Sequence, residues 1–133
     1  MEFLFDASAI VNLIRKGDLR ILSEGCTLDL ALYESLNALW KEHFLLRRMD
    51  RDLLNECMGI LLGIFEVIEV RTIDGLEERV LENAVKYGLT VYDSSYFTYA
   101  RENGLALVTD DAKLAKRVER EVQVLSTSEV LRT

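Results

Sequence analysis

GLALVTDDAKLAKRVERE (residues 104–121) and EFLFDASAIVNLIRKG (residues 2–17) follow one plan. Each runs through a short apolar stretch, meets an acid, and continues with the periodicity of a helix. Gly17 stops the first helix, and Gly104 precedes the strand candidate LALVT (105–109). Strands that feed directly into helices belong to parallel sheets, because parallel neighbours need a crossover between them.

The intervening sequence repeats the alternation. Asp18 opens a short helical stretch to about Glu24, ended by Gly25, and CTLDL (26–30) reads as a strand. A long helix is expected from Ala31 to Arg48 and another from Asp50 to Phe65, before the alternating strand EVIEVRTI (66–73). Asp74-Gly75-Leu76-Glu77 has a capping acid with Glu three residues on, which predicts a helix running to Gly88. Helices over Tyr92–Asn103 and Asp111–Glu121, the strand-like VQVL (122–125) and a short terminal helix complete the chain. With no repeat or linker, the pattern predicts one α/β domain over 1–133, a three-layer α/β/α fold with a central parallel sheet and right-handed crossovers.

A chain of 133 residues suits one domain, and 50% hydrophobic against 29% charged residues is enough for a packed core. No apolar run approaches the roughly 20 residues a membrane span requires. Glu2 and Asp6 replace the basic start of a signal peptide, so a soluble, cytoplasmic protein is expected. Cys26 and Cys57 are too few for a disulfide framework and read as core residues. The net charge of −7 weighs against nucleic acid. It ceases to do so if the carboxylates cluster and hold divalent cations, which invert the local charge.

Three acids share an expected address. Asp6 ends the first strand, Asp93 starts a helix after LTVY, and Asp111 lies two residues past LALVT. Ligands of open α/β sheets bind beyond the carboxyl ends of strands. Carboxylates converging there repel one another, and an oxygen-seeking divalent metal is their natural compensator. A fourth acid, Glu34, lies in the long helix. At 100° per residue, Leu32, Leu36, Leu39 and Trp40 form one face, while Glu34, Asn37, Lys41 and Arg48 fall within about 60° on another. A bland account exists for each: an Asp between strand and helix is commonly an N-cap, and a helical Glu is commonly solvated.

FLFDASAIV, YESLNALWK, VYDSSYFTYA and LVTDDAKLA resemble, in order and spacing, the signature segments of PIN-domain proteins, especially VapC toxins of prokaryotic toxin–antitoxin pairs. The resemblance runs from Glu2 to about Val124. It implies that Asp6, Glu34, Asp93 and Asp111 are acidic ligands of Mg²⁺ or Mn²⁺, with Thr109, Ser8 and Asn37 as supporting polar residues. Asp110 competes with Asp111 for the fourth position, although the Thr-x-Asp spacing favours Asp111. The resemblance further implies endoribonuclease activity on RNA, a homodimer, and inhibition by a cognate antitoxin.

Arg15, Lys16, Lys41, Arg47, Arg48 and Arg51 are the candidates for RNA phosphate contacts. His43, the single histidine, falls on an apolar helix face and reads as a packed residue. Leu53, Leu54, Cys57, Met58, Leu61, Leu62 and Phe65 make a face wider than one side of a sheet needs, which predicts an interface. Competing readings are a PIN nuclease of RNA maturation or of DNA, a phosphotransfer or receiver domain, and a non-catalytic binding module. Asp6-Ala7-Ser8 lacks the second Asp of the haloacid-dehalogenase pattern, and no strand-end Asp pairs with a downstream Lys as in receivers. A binding module would leave converging carboxylates unexplained.

Overall fold

The computed structural model describes residues 2–132; Met1 and Thr133, the two ends of the expected domain, lie outside the described residues. Five strands form one parallel sheet: β1 (Phe3–Phe5), β2 (Gly25–Leu28), β3 (Glu69–Arg71), β4 (Ala106–Val108) and β5 (Val124–Leu125), in the order β3-β2-β1-β4-β5. The helices are α1 (Ala7–Lys16), α2 (Leu30–Trp40), α3 (Arg51–Val67), α4 (Glu77–Tyr87), α5 (Val91–Glu102), α6 (Ala112–Val118) and α7 (Thr127–Leu131). Helices α1, α2 and α3 pack on one another, and α4 packs on α5. The result is the expected three-layer α/β/α arrangement around a parallel sheet.

The centre of that sheet is apolar on both faces. Leu4, Phe5, Cys26, Leu28, Leu107 and Val108 are all fully buried, as parallel strands covered by helices must be. Cys57 is buried too, so both thiols are core residues. The chain walks outward from β1 through β2 to β3, then returns to place β4 on the other side of β1. The gap between the carboxyl ends of β1 and β4 is therefore the switch point, where an α/β sheet opens a crevice.

Several boundaries differ from expectation, each for a local reason. Helix α3 continues through Val67, so the alternation of EVIEVRTI is partly a helix end, and the strand keeps only the exposed edge residues Glu69–Arg71. The long helix expected to Arg48 stops at Trp40 and passes into a single π-helical turn, Lys41–Leu45. Arg47 then adopts a left-handed backbone, φ 51°, and reverses the chain. Arg48 thereby leaves the polar line of Glu34, Asn37 and Lys41 and folds back on Glu42. Residues 18–24 form only a 3₁₀ turn, Arg20–Glu24. Asp74 does not cap α4; the N-cap is Leu76, and the Glu77 carboxylate accepts from the Gly75 amide instead.

The inward face of α2 also differs. Its buried residues are Ala31, Ser35 and Leu39, while Leu36 and Trp40 are 38% and 47% exposed. Small residues let α2 lie close to α1, which pushes the large apolar side chains outward. On α3, Cys57, Leu61 and Ile64 face the core, whereas Leu53, Met58 and Leu62 are exposed. Leu61 therefore belongs to the core and not to a free surface.

Candidate active site

Asp6 follows β1 directly and is buried at 5% exposure. Its Oδ1 accepts from the Ala9 amide (2.9 Å) and the Ser8 hydroxyl (2.7 Å), and its Oδ2 accepts from the Thr109 hydroxyl beyond β4. Thr109 is itself buried, and its oxygen accepts from the Asp111 amide at 3.0 Å. Ser8 accepts from the Asp110 amide at 3.0 Å. These bonds stitch the ends of β1 and β4 together across the switch point.

The other acids approach from neighbouring elements. Asp111 is the N-cap of α6, its Oδ1 accepting from Lys113 and Leu114 amides, and it is exposed. Asp93 does not follow a strand, because LTVY forms none. Thr90 caps α5 by accepting from the Asp93 amide, which places Asp93 in the first helical turn with its carboxylate free of any donor among the described residues. Glu34, midway along α2, receives the Tyr96 hydroxyl on Oε1 at 2.8 Å. Both Glu34 and Asp93 are half-buried.

Electrostatics links the four into a chain. Burial pushes Asp6 up from 3.8 to about 6, against the opposing hydrogen bonds of Thr109, Ser8 and Ala9, and the charge of Glu34 adds to the rise. Burial likewise raises Glu34, opposed by Tyr96 and reinforced by the charge of Asp93. Asp93 is raised by burial and then by the charge of Asp111. Each acid thus feels the next, in the order Asp6, Glu34, Asp93, Asp111. Among the described residues, no three such side chains are gathered tightly enough to grip an ion as they stand. Mg²⁺ is commonly bound by one or two carboxylates plus waters.

Asp110 is placed apart. It accepts from Asn12 Nδ2 (2.6 Å), the Thr127 amide (2.8 Å) and the Thr127 hydroxyl (2.6 Å). Burial works to raise its carboxyl, but these bonds outweigh it and hold the group below the usual range. Its bonds fasten α1 and α7 to the loop after β4. Asn37 is exposed on α2. His43 is half-buried and bonds the Met49 carbonyl through Nδ1 at 2.8 Å.

The candidate cations separate into two groups. Arg15 (3.2 Å) and Arg48 (2.8 Å) both pair with the buried Glu42. Lys16 bonds Thr127 and Ser128, and Arg51 bonds Asn55. Lys41 and Arg47 are exposed and make no ion pair among the described residues. Two residues at the site escaped the sequence reading. Thr90 is a capping hydroxyl three residues before an acid, a readable signal. Tyr96 lies three residues after Asp93 on the same helix, but its bond to α2 is visible only once the helices are packed.

The exonuclease VapC9 of Pyrobaculum aerophilum is 36% identical to this chain over 126 residues, covering 93% of the chain and 91% of that protein. The chain belongs to the VapC family of PIN-domain proteins. The ribonuclease VapC3 of the same organism is 31% identical over 125 residues, covering 88% of the chain and 95% of its own length. Among solved structures, PAE2754 from Pyrobaculum aerophilum superposes with a TM-score of 0.83 at 32% identity, over 99% of this chain and 95% of that one. The DNA-bound VapBC of Salmonella typhimurium shares the fold with a TM-score of 0.66 at 16% identity, over 96% and 98% of the two chains. No family model matches.

Proposed function

We propose that this VapC-family chain is a divalent-metal-dependent endoribonuclease, the toxin of a VapBC-type pair. The observation that carries the reading is the set of buried and half-buried carboxylates Asp6, Glu34 and Asp93, each raised first by burial and each facing the charge of a further acid near the switch point of the sheet. A structural role alone does not call for such an arrangement, since each buried carboxylate costs stability until its charge is compensated. Relatives named as an exonuclease and a ribonuclease support nuclease chemistry.

The donor set fits Mg²⁺ or Mn²⁺, being all oxygen, with Asp6, Glu34, Asp93 and Asp111 as ligands. When bound, such an ion lowers the pKa of water and stabilises charge on the phosphate oxygens during displacement. The chain's own residues supply the positioning. Ser8, Ala9 and Thr109 fix the Asp6 carboxylate, Tyr96 orients Glu34, and capping consumes only one oxygen of Asp111. Of the six candidate cations, Lys41 and Arg47 are exposed and make no ion pair among the described residues, which leaves them free to meet RNA phosphates.

Asp111 is exposed and Glu34 and Asp93 are half-buried, so these acids are open to solvent. That openness favours internal cutting. Exposed Phe44, Leu45, Leu46, Leu53, Met58 and Leu62 provide apolar surface for a homodimer and for a cognate antitoxin. Among the described residues no helix is long and apolar enough to cross a membrane, and the working place we propose is the cytoplasm. Linear and circular RNA incubated with Mn²⁺ test the reading together. Both should be cut, neither in EDTA, and neither by Asp93→Asn. Intact circles with shortened linear RNA would make the protein an exonuclease, and no cleavage in any metal would refute the proposal.

A further inference from the structure

Of the four acids, Asp93 alone accepts no hydrogen bond among the described residues. Its carboxylate therefore goes where helix α5 points it. Polar side chains join that helix to α4. Asn83 Nδ2 donates to the Thr98 hydroxyl at 2.9 Å, and the Ser94 hydroxyl donates to the Val80 carbonyl at 2.6 Å. Arg101 Nη2 donates to Asn83 Oδ1 at 3.2 Å, which fixes the end of the amide that faces Thr98. Ser94, Thr98 and Asn83 are all buried. At 100° per residue, Ser94, Thr98 and Arg101 lie within about 60° of one another. Asp93 and Tyr96 lie about 60° apart on a different face, the one from which Tyr96 reaches Glu34.

Stability does not call for this network. When both partners of a buried hydrogen bond are replaced by apolar groups of the same shape, the cost is small or absent. What the bonds add is direction. Apolar contact leaves a helix free to turn, whereas a hydrogen bond holds both distance and angle. A turn of about 20° would move a side-chain end by about 2 Å, given its distance of roughly 5–6 Å from the helix axis. A metal ligand needs placement to within about 0.5 Å.

We propose that Asn83 and Thr98 are positioning residues, whose bond sets the rotation of α5 and so aims Asp93 into the site. This rests on the metal reading for the ligand role of Asp93, while part of its test needs no metal. Mn²⁺ binding is measured by calorimetry. In EDTA, urea denaturation follows a double-mutant cycle with Tyr96→Phe, because the Tyr96–Glu34 bond shares the face that would turn. Thr98→Val keeps the side-chain shape and removes the hydroxyl; joined to Asn83→Leu, it removes both sides of the bond. The double variant should fold but bind Mn²⁺ roughly tenfold more weakly, whereas Thr98→Ser, which keeps the hydroxyl, should bind as the wild type does. Tyr96→Phe should lower the folding equilibrium roughly fivefold in the wild-type background and lose most of that effect in the double variant. Wild-type Mn²⁺ affinity in the double variant, a loss that Thr98→Ser shares, or an undiminished effect of Tyr96→Phe overturns the inference. If the double variant does not fold, Thr98→Val alone is set against Thr98→Ser, and equal Mn²⁺ affinities overturn it. A wild type that binds no Mn²⁺ removes the metal reading, and the Tyr96 cycle then decides the rotation by itself.

Discussion

Replacing Asp6 with Asn should stabilise the metal-free protein while removing its metal site. Asp6 is 5% exposed, and burial lifts its carboxyl from 3.8 to about 6. A carboxylate raised in the folded state stabilises the fold while protonated and loses that contribution as pH rises towards the folded value. From about pH 4 to pH 6 the wild type should therefore lose about 3 kcal/mol relative to Asp6→Asn, at about 1.36 kcal/mol per pH unit, and nothing further above. Asn keeps an oxygen for Ser8 and Ala9 but turns its amide towards Thr109, whose hydroxyl must reorient. That lost bond costs about 1 kcal/mol, leaving a net gain of about 2 kcal/mol at pH 7. Urea denaturation in EDTA from pH 4 to pH 8 measures the difference directly. Added Mn²⁺ should then stabilise the wild type and leave Asp6→Asn unmoved. A variant less stable than wild type at pH 7 in EDTA, or a gap that does not vary between pH 4 and pH 6, would refute the reasoning.

Five other substitutions separate site from scaffold. Asp111→Asn should abolish cleavage with little change in melting temperature, whereas Asp110→Ala should cost about 2 kcal/mol of stability by freeing Asn12 and Thr127, and retain measurable cleavage; the reverse pattern would exchange their roles. Leu62→Glu should shift a dimer towards monomer in light scattering and leave the circular dichroism spectrum unchanged, while Leu61→Glu, at a fully buried position, should unfold the protein. Tyr96→Phe removes one hydroxyl from Glu34 and should weaken Mn²⁺ binding about tenfold in calorimetry, the scale expected when a group orienting a metal ligand is lost; unchanged affinity would deny Tyr96 that role.

The switch point was legible because its signals are local. β1 and β4 announce themselves as short apolar runs, and the acids after them sit where the register of Phe5 against Val108 brings the two chain ends together. Glu34 was legible only as a face of a helix, and that face was read with the wrong partner. Helical periodicity placed Leu36 and Trp40 inside, but close packing on α1 selects the small residues Ala31 and Ser35, a tertiary preference that no single helix records. The π-helical turn at Lys41–Leu45 was invisible for the same reason. It is imposed where Glu42 meets Arg15 from α1 and Arg48 from beyond the turn. The sequence places Asp93 with the strand-end acids, yet α4 and α5 are joined by a short connection with no strand, and the capping Thr90 sets Asp93 in the first turn of α5.

A capping role does not exclude the proposed catalytic one. Asp6 caps α1 and Asp111 caps α6, so the structural reading is correct for both. Capping fixes a carboxylate by engaging one of its oxygens with backbone amides, and fixing is what a metal ligand needs. The two demands part over charge. A cap gains from being exposed enough to stay ionised cheaply, whereas Asp6 is buried until its pKa nears 6 and also feels the charge of Glu34. Asp93, which caps nothing, bears the cost of burial and of the Asp111 charge with no hydrogen bond in return among the described residues. A fold selected only for stability would neutralise such a group; one selected to compensate it with a bound cation would keep it.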